Sequence, residues 1–135
     1  MRKIALLILA VILLASCQSQ AVSGETISVA KGSYQNITAK ELNFMLKNKD
    51  FLFINVHTPF AGNIAGTDTS IAHDQIEQNL SQLPADKSAK IVLYCRSGRM
   101  SEIAAAELVS LGYTNIWNLD GGMDAWVQAG YKLEK

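Results

Sequence analysis

The sequence has few cysteines, no excess of one charge and no apolar run long enough to cross a bilayer. Two cysteines among 135 residues exclude a disulfide framework, and two histidines widely spaced from the free thiol give no basis for a metal site. Lysine plus arginine number 12, as do aspartate plus glutamate, whereas nucleic-acid-binding domains carry a basic excess. No internal repeat or low-complexity tract occurs. The length suits one domain with an ordinary hydrophobic core.

The N-terminus has the pattern of an export signal. Arg2 and Lys3 precede an unbroken apolar run at residues 4–15. Because this run is too short to span a bilayer, residues 1–16 are predicted to be a signal peptide. The sequence Leu-Ala-Ser-Cys, which ends at Cys17, resembles the bacterial lipobox, in which cleavage precedes the cysteine and the cysteine carries lipid. The alternative is an ordinary signal peptide with an incidental cysteine.

Lipid on Cys17 would hold the protein on a membrane surface and leave the following domain in water. We therefore expect an extracytoplasmic bacterial lipoprotein. Gln18 resembles the outer-membrane pattern, which predicts the periplasmic side of that membrane where the host has two membranes. Residues 17–33 are predicted to be the lipidated N-terminus and a flexible tether, with room for a short strand at 27–29. Without the signal peptide the chain has 10 basic and 12 acidic side chains, so no nucleic-acid partner is expected.

Residues 34–135 are predicted to form one α/β domain. Apolar residues at helical spacing follow a capping box at 38–41, and continuous apolar runs suit strands that are buried on both faces. The predicted helices cover 39–48, 76–83, 101–111 and 123–129, the predicted strands cover 51–56, 90–94 and 115–119, and a long loop covers 57–72. Strands that alternate with helices predict a parallel central sheet with helices on both faces.

One short segment carries the candidate chemistry, Cys95-Arg96-Ser97-Gly98-Arg99-Met100-Ser101. Cys95 ends a predicted buried strand, and ligands of parallel sheets bind beyond the carboxyl ends of strands. A helix begins near Ser101, so free N–H groups and the positive end of its dipole point at the loop. Gly98 permits the positive φ that folds the loop, while Arg96 and Arg99 add positive charge.

This cradle predicts a nucleophilic Cys95 thiolate and an anion-binding loop formed by Arg96, Ser97, Gly98, Arg99, Met100 and Ser101. For Cys95 taken alone, the alternative is a buried, inert thiol, since free cysteine is among the most buried residues. For the two arginines, the alternative is solvated surface charge.

Four stretches in order resemble those of a known family. They are INVHTP with GNIAGT at 54–67, LSQLPADKSAKIVLYC at 80–95, CRSGRM at 95–100 and GYTNIWNLDGGMDAW at 112–126. At this order and spacing, the chain from about residue 34 to about residue 131 resembles the rhodanese family of single-domain sulfurtransferases.

The resemblance implies that Cys95 takes a sulfane sulfur from a thiosulfate-type donor and passes it, as a persulfide, to cyanide or a thiol. The loop N–H groups would hold the terminal sulfur, and Arg96 and Arg99 would receive the departing oxyanion. No cofactor is implied. The implied partners are a small sulfur-containing anion and a thiol acceptor, with no protein partner identified. The matching Gly121, Gly122 and Trp126 imply a structural role, in which the glycines shape a turn and the tryptophan fills the core.

The sequence departs from the family at the first of these stretches. Asn55-Val56-His57 replaces the usual Asp-Val-Arg, and residues 62–66 read Gly-Asn-Ile-Ala-Gly rather than Gly-His-Ile-Pro-Gly. The loss of a charge pair puts donor specificity and turnover in question. His57 ends a strand on the same edge as Cys95, so it is a candidate auxiliary residue for the thiolate or for proton transfer. The alternative is a histidine that only orients the loop, and His73 is expected to be a surface residue with no role.

Three other functions compete with sulfur transfer. The first is a persulfide carrier, or sulfur-binding module, that serves a partner protein without turnover. The second is a cysteine phosphatase, which needs Cys, five residues and then Arg to grip phosphate, whereas Ser101 occupies that position here. The third is an inactive interaction domain, which the presence of Cys95 disfavours.

Overall fold

The computed structural model describes residues 21–135. The predicted signal peptide at 1–16 and the predicted lipidation site Cys17 lie outside the described residues. Within the described part of the chain, no helix has both the length and the apolar character that a membrane crossing requires.

Six strands form one sheet in the order β1-β2-β6-β5-β3-β4. The strands are β1 (Glu25–Val29), β2 (Gly32–Ile37), β3 (Leu52–Asn55), β4 (Thr69–Ser70), β5 (Ile91–Tyr94) and β6 (Ile116–Leu119). The helices are α1 (Ala39–Leu46), α2 (Arg99–Ser110) and α3 (Gly122–Gln128), with a 3-10 helix at Glu77–Gln82. β1 pairs with β2 in antiparallel orientation, and every other neighbouring pair is parallel. This confirms the predicted α/β fold with a mostly parallel central sheet.

Helices cover both faces of the sheet, and β5 contributes to both cores. Its successive side chains point to opposite faces, so Ile91 and Leu93 pack with α2, while Val92 and Tyr94 pack with α1 and α3. All four of these residues are buried, which explains why the strand is apolar throughout. Trp126 of α3 is 5% exposed and fills the core of the second face, as expected.

α1 begins at the predicted capping box. Thr38 Oγ1 accepts from the Glu41 backbone N–H at 3.2 Å, and a Glu41 carboxylate oxygen accepts from the Thr38 N–H at 2.8 Å. These reciprocal bonds satisfy two N–H groups that a helix start leaves without partners. α1 therefore starts at Ala39 as predicted, and it ends at Leu46, two residues before the predicted end.

The structure differs from the sequence prediction at three places. The short strand allowed for at 27–29 lies within β1, but the tether predicted through residue 33 ends earlier, because residues 25–37 form a hairpin that joins the sheet, with Glu25 opposite Asn36 and Val29 opposite Gly32. This edge hairpin is exposed or half-buried along most of its length, so it lacks the apolar pattern of the central strands. The predicted helix at 76–83 is a 3-10 helix with a non-helical residue, Asn79, inside it. The predicted loop at 57–72 also contains the two-residue strand β4.

Candidate active site

Cys95 lies at the carboxyl edge of the sheet, one residue after β5. It is 1% exposed and is the only cysteine among residues 21–135. The next elements are a three-residue turn and α2, which starts at Arg99 with Gly98 as its N-cap residue. The predicted arrangement of strand, tight loop and helix start is therefore present.

Two donor groups lie within hydrogen-bond distance of the Cys95 sulfur. The Gly98 backbone N–H lies 3.0 Å from Sγ, and the Ser101 hydroxyl lies 3.4 Å from it. The same hydroxyl is 3.0 Å from the Gly98 carbonyl oxygen, so its single proton serves either the sulfur or the carbonyl. Gly98 has a φ of +111°, which turns its N–H back towards the thiol. The Gly98 N–H is therefore placed to donate to the sulfur.

α3 braces the loop from the other side. Its first N–H groups donate to the loop carbonyls, from Met123 to Cys95 at 2.9 Å and from Asp124 to Arg96 at 2.9 Å. Gly122 sits beside them with a φ of +57°, and a Cβ there would overlap the Cys95 carbonyl oxygen and lie 2.7 Å from that of Arg96. The close approach explains why a glycine stands at this turn, where the sequence predicts only a structural role.

The remaining loop residues differ in where they lie. Arg96 is exposed, and its Nε is 3.8 Å from an Asp124 carboxylate oxygen, so part of its charge is already compensated. Arg99 is also exposed, and it forms no salt bridge within residues 21–135. Ser97 is exposed, whereas Met100 is half-buried against the α2 core and Ser101 is fully buried. Of the six predicted loop residues, only Gly98 and Ser101 lie within hydrogen-bond distance of the thiol, and Arg99 is the loop arginine without a salt bridge among residues 21–135.

His57 lies at the same edge but is not a hydrogen-bond donor to the Cys95 sulfur. Its backbone N–H donates to Asn55 Oδ1 at 3.0 Å. Partial burial, followed by the positive charges of Arg96 and His73, lowers the pKa of His57 below its usual value, with Asp124 opposing the shift. The imidazole is therefore mainly neutral near neutral pH, and its contribution to the charge of the site is small.

A buried polar network holds the loop that follows β3, and the sequence alone did not indicate most of it. Asn55 Nδ2 donates to the Gly62 carbonyl at 3.0 Å and to Asn63 Oδ1 at 2.9 Å. Tyr94 Oη accepts from the Ile64 N–H at 3.0 Å and donates to Asn63 Oδ1 at 3.1 Å. Neutral amide hydrogen bonds thus join Asn55 to Gly62 and Asn63 of this loop. The only sequence signal was that Asn55 and Asn63 both stand where the resembled family motifs have other residues.

The position of His73 also differs from the surface position that the sequence predicts. His73 is half-buried rather than on the surface, its backbone N–H donates to the Val56 carbonyl at 3.0 Å, and its Nδ1 is buried without a hydrogen-bond partner. Among residues 21–135, no three histidine, cysteine or acidic side chains cluster in a way that could hold a metal ion.

The matching family model is that of the rhodanese-like domain, which aligns with residues 38–129 and so covers the loop, α2 and α3. The chain belongs to the rhodanese-like domain family. Two solved structures agree with this. A rhodanese-related protein from Thermoplasma volcanium is 27% identical, with a TM-score of 0.62, and the alignment covers 74% of this chain and 97% of that one. A rhodanese-like domain protein from Staphylococcus aureus is 26% identical, with a TM-score of 0.60 and coverage of 74% and 98%.

Curated relatives are longer proteins. A tRNA uridine(34) hydroxylase from Hamiltonella defensa is 28% identical over 106 residues, which are 74% of this chain and 30% of the relative. The hydroxylase of the same name from Escherichia coli is 27% identical over 93 residues, or 64% of this chain and 27% of the relative. This chain therefore spans less than a third of the length of these relatives.

Proposed function

We propose that this rhodanese-like protein is a sulfurtransferase in which Cys95 carries a sulfane sulfur as a persulfide. The observation that supports this most directly is the Cys95 sulfur at the end of a buried strand with the Gly98 N–H 3.0 Å away. The first-turn N–H groups of α2 lack intrahelical acceptors, so they supply further donors for a second, outer sulfur.

The proposed chemistry balances in two half-reactions. The Cys95 thiolate attacks the outer sulfur of thiosulfate, a new S–S bond forms, and sulfite leaves with the electrons of the bond that breaks. A thiolate or cyanide then attacks the outer persulfide sulfur, and the electrons of that S–S bond return to Cys95 as a thiolate. No step requires a cofactor or a metal.

Arg99 is proposed to bind the donor oxyanion. It stands on the first turn of α2, next to the thiol loop, and its charge is not paired within the described residues, whereas Arg96 lies near Asp124. Loss of one charge-assisted hydrogen bond costs about 1.5–3 kcal/mol, or about ten- to a hundred-fold in kcat/KM for thiosulfate. Discharge of a preformed persulfide to a thiol releases no sulfite, so Arg99→Ala should leave that half-reaction nearly unchanged.

The test is mass spectrometry of the purified protein with and without thiosulfate, combined with rates for each half-reaction. Cys95 should gain the mass of one sulfur atom, and Cys95→Ser should gain none. Arg99→Ala should slow loading but not discharge, and Lys31→Ala, which removes an exposed cation between β1 and β2, is the matched control. Failure of Cys95 to gain sulfur would refute the proposal. Equal slowing of both half-reactions by Arg99→Ala would show that Arg99 shapes the loop instead.

The second candidate is a persulfide carrier that delivers sulfur to a partner without rapid turnover. The low exposure of Cys95, at 1%, favours it, because a shielded persulfide reacts slowly with free thiols. A loaded protein that keeps its extra sulfur through many equivalents of a small thiol would favour this candidate. A phosphatase is disfavoured, because Ser101 stands where the phosphate-gripping arginine would be and its hydroxyl is bonded to the thiol and to Gly98.

We also propose that the protein is an extracytoplasmic lipoprotein anchored through Cys17, on the periplasmic side of the outer membrane where the host has two membranes. The support is the lipobox-like Leu-Ala-Ser-Cys after a short apolar run. The tRNA named for the curated relatives is not proposed as a substrate. After signal removal this chain has 10 basic and 12 acidic side chains, which is not the charge balance of a nucleic-acid binder.

A further inference from the structure

A groove runs beside α1 where the described chain begins, and we call it the α1 groove. It is lined by Ala21, Val22, Phe44, Met45, Asn48 and Trp117. Phe44 is 50% exposed, although aromatic side chains are usually withdrawn from water. One end of the groove is flanked by Lys40 with Glu41, and the other by Lys90 with Asp50. The groove therefore combines an apolar strip with polar and charged side chains of both signs.

The outer side of α1 adds positive charge to this apolar strip. Lys40, Phe44 and Lys47 follow one another at spacings of four and three residues, so they share one side of the helix, and all three are exposed. Two carboxylates beside the groove, Glu41 and Asp50, oppose this charge, but with Lys90 the lysines number three and leave an excess of one positive charge. Exposed lysines near a bilayer surface are attracted to anionic headgroups, and an exposed aromatic ring between them can enter the interface.

The length of the chain before the groove restricts where a membrane could lie. Cys17 is four residues before Ala21, and four extended residues span at most about 14 Å. A domain of this size is on the order of 35 Å across. A bilayer that holds an acyl chain on Cys17 must therefore lie on the side of the domain where Ala21 lines the groove.

We propose that the α1 groove, together with the outer side of α1 that carries Lys40 and Lys47, is the surface with which the domain rests on the anionic bilayer that holds the acylated Cys17. The inference rests on the proposed lipidation. Phe44 enters the interface, and Lys40 and Lys47 face anionic headgroups. α2 covers the face of the sheet opposite to α1, and Cys95 lies at the carboxyl edge of the sheet. The docked domain therefore leaves the thiol loop open to reactants in water.

The test is lysine footprinting of the acylated protein with a water-soluble amine reagent. Labelling is compared in vesicles of phosphatidylcholine with phosphatidylglycerol, in vesicles of phosphatidylcholine alone, and in detergent. Lys40 and Lys47 should label about five-fold more slowly in the anionic vesicles than in detergent, and added salt should reduce the protection. The exposed Lys31 and Lys87, which lie outside the groove, should label equally in all three.

A pair of variants separates this surface from general apolar contact. Phe44→Ser should abolish the protection, whereas Phe60→Ser, at a side chain that is 61% exposed in the loop after β3, should keep it. Both variants should still load sulfur on Cys95, which shows that they are folded and that the sulfur chemistry is intact.

Each result has a distinct meaning. Lys40 and Lys47 could label equally in anionic vesicles and in detergent while mass spectrometry finds an acylated Cys17 peptide. That result would refute the proposed membrane-contacting surface and leave the proposed lipid anchor intact. Protection that persists in detergent overturns the surface too: dependence on protein concentration would indicate a second copy, and independence would indicate the residues before Ala21. A Cys17 peptide without lipid refutes the anchoring and, with it, this membrane surface, whereas sulfur loading reports separately on the proposed activity.

Discussion

Gly122 is the position where we expect one added methyl group to disrupt the site through the backbone. Its φ is +57°, and a Cβ there would overlap the Cys95 carbonyl oxygen and lie 2.7 Å from the Arg96 carbonyl oxygen. Those two carbonyls accept the Met123 and Asp124 N–H groups, both at 2.9 Å. Alanine at 122 can fit only if α3 moves away from the loop, which breaks both hydrogen bonds.

The structure sets the size of the effect. A left-handed backbone costs an alanine about 1–2 kcal/mol, and two lost hydrogen bonds cost about 1 kcal/mol each. Gly122→Ala should therefore lower the free energy of unfolding by about 3–4 kcal/mol. Gly130→Ala is the matched control, because Gly130 has a φ of +93° but nothing lies within 4 Å of the point that a Cβ would occupy. It should lose only the backbone part, about 1–2 kcal/mol.

Urea unfolding of the wild type and of both variants measures this difference. Sulfur loading of Cys95, measured where each variant is still folded, should be slowed in Gly122→Ala and unchanged in Gly130→Ala. Equal losses of stability in the two variants would show that the contact with the loop carbonyls is not a constraint, and that α3 does not brace the active loop.

Two further predictions concern the dependence of stability on pH. Asn55→Asp replaces the amide that donates to the Gly62 carbonyl and Asn63 Oδ1 with a group that only accepts when ionised, so the free energy of unfolding should fall as pH rises from about 4 to about 7. Urea titrations across that range test this, and equal losses at both ends would contradict it. Burial alone would raise the pKa of Asp68, but the Lys49 hydrogen bond, the backbone N–H bonded to it and the Lys49 charge outweigh burial, so the pKa is lowered from its ordinary 3.8. The ionised Asp68 therefore stabilises the fold above pH 3.8, and this stabilisation is lost as pH falls through the lower pKa of the folded state. Asp68→Asn should flatten the acid limb of the curve of unfolding free energy against pH. An unchanged acid limb would mean that the pair does not contribute.

The central part of the fold follows from local sequence pattern. β5 is a continuous apolar run, because both faces of a central parallel strand are covered. The start of α1 follows from Thr38 and Glu41, which form their capping hydrogen bonds within four residues of each other. Such features are predictable because the groups that decide them are neighbours in the chain.

Beyond the short strand at 27–29, the edge elements were not predictable, for the opposite reason. The hairpin of β1 and β2 is polar and largely exposed. It joins the sheet because β2 pairs with β6, which lies far away in the sequence. The strand β4 has two residues and exists only through its pairing with β3. No periodicity marks elements whose stability comes from a partner distant in sequence.

The thiol and its loop are local features of the chain. Cys95, Gly98, Ser101 and the start of α2 lie within a few residues, so the N–H and hydroxyl that reach the sulfur are set by local backbone geometry. The surroundings of that loop depend instead on the folded domain. α3 packs against the loop at Gly122, and Asp124 lies near Arg96. Asn55 donates a hydrogen bond to Gly62 in the loop that follows β3. These contacts join segments that are apart in the chain, and they form only when the sheet brings its carboxyl ends to one edge.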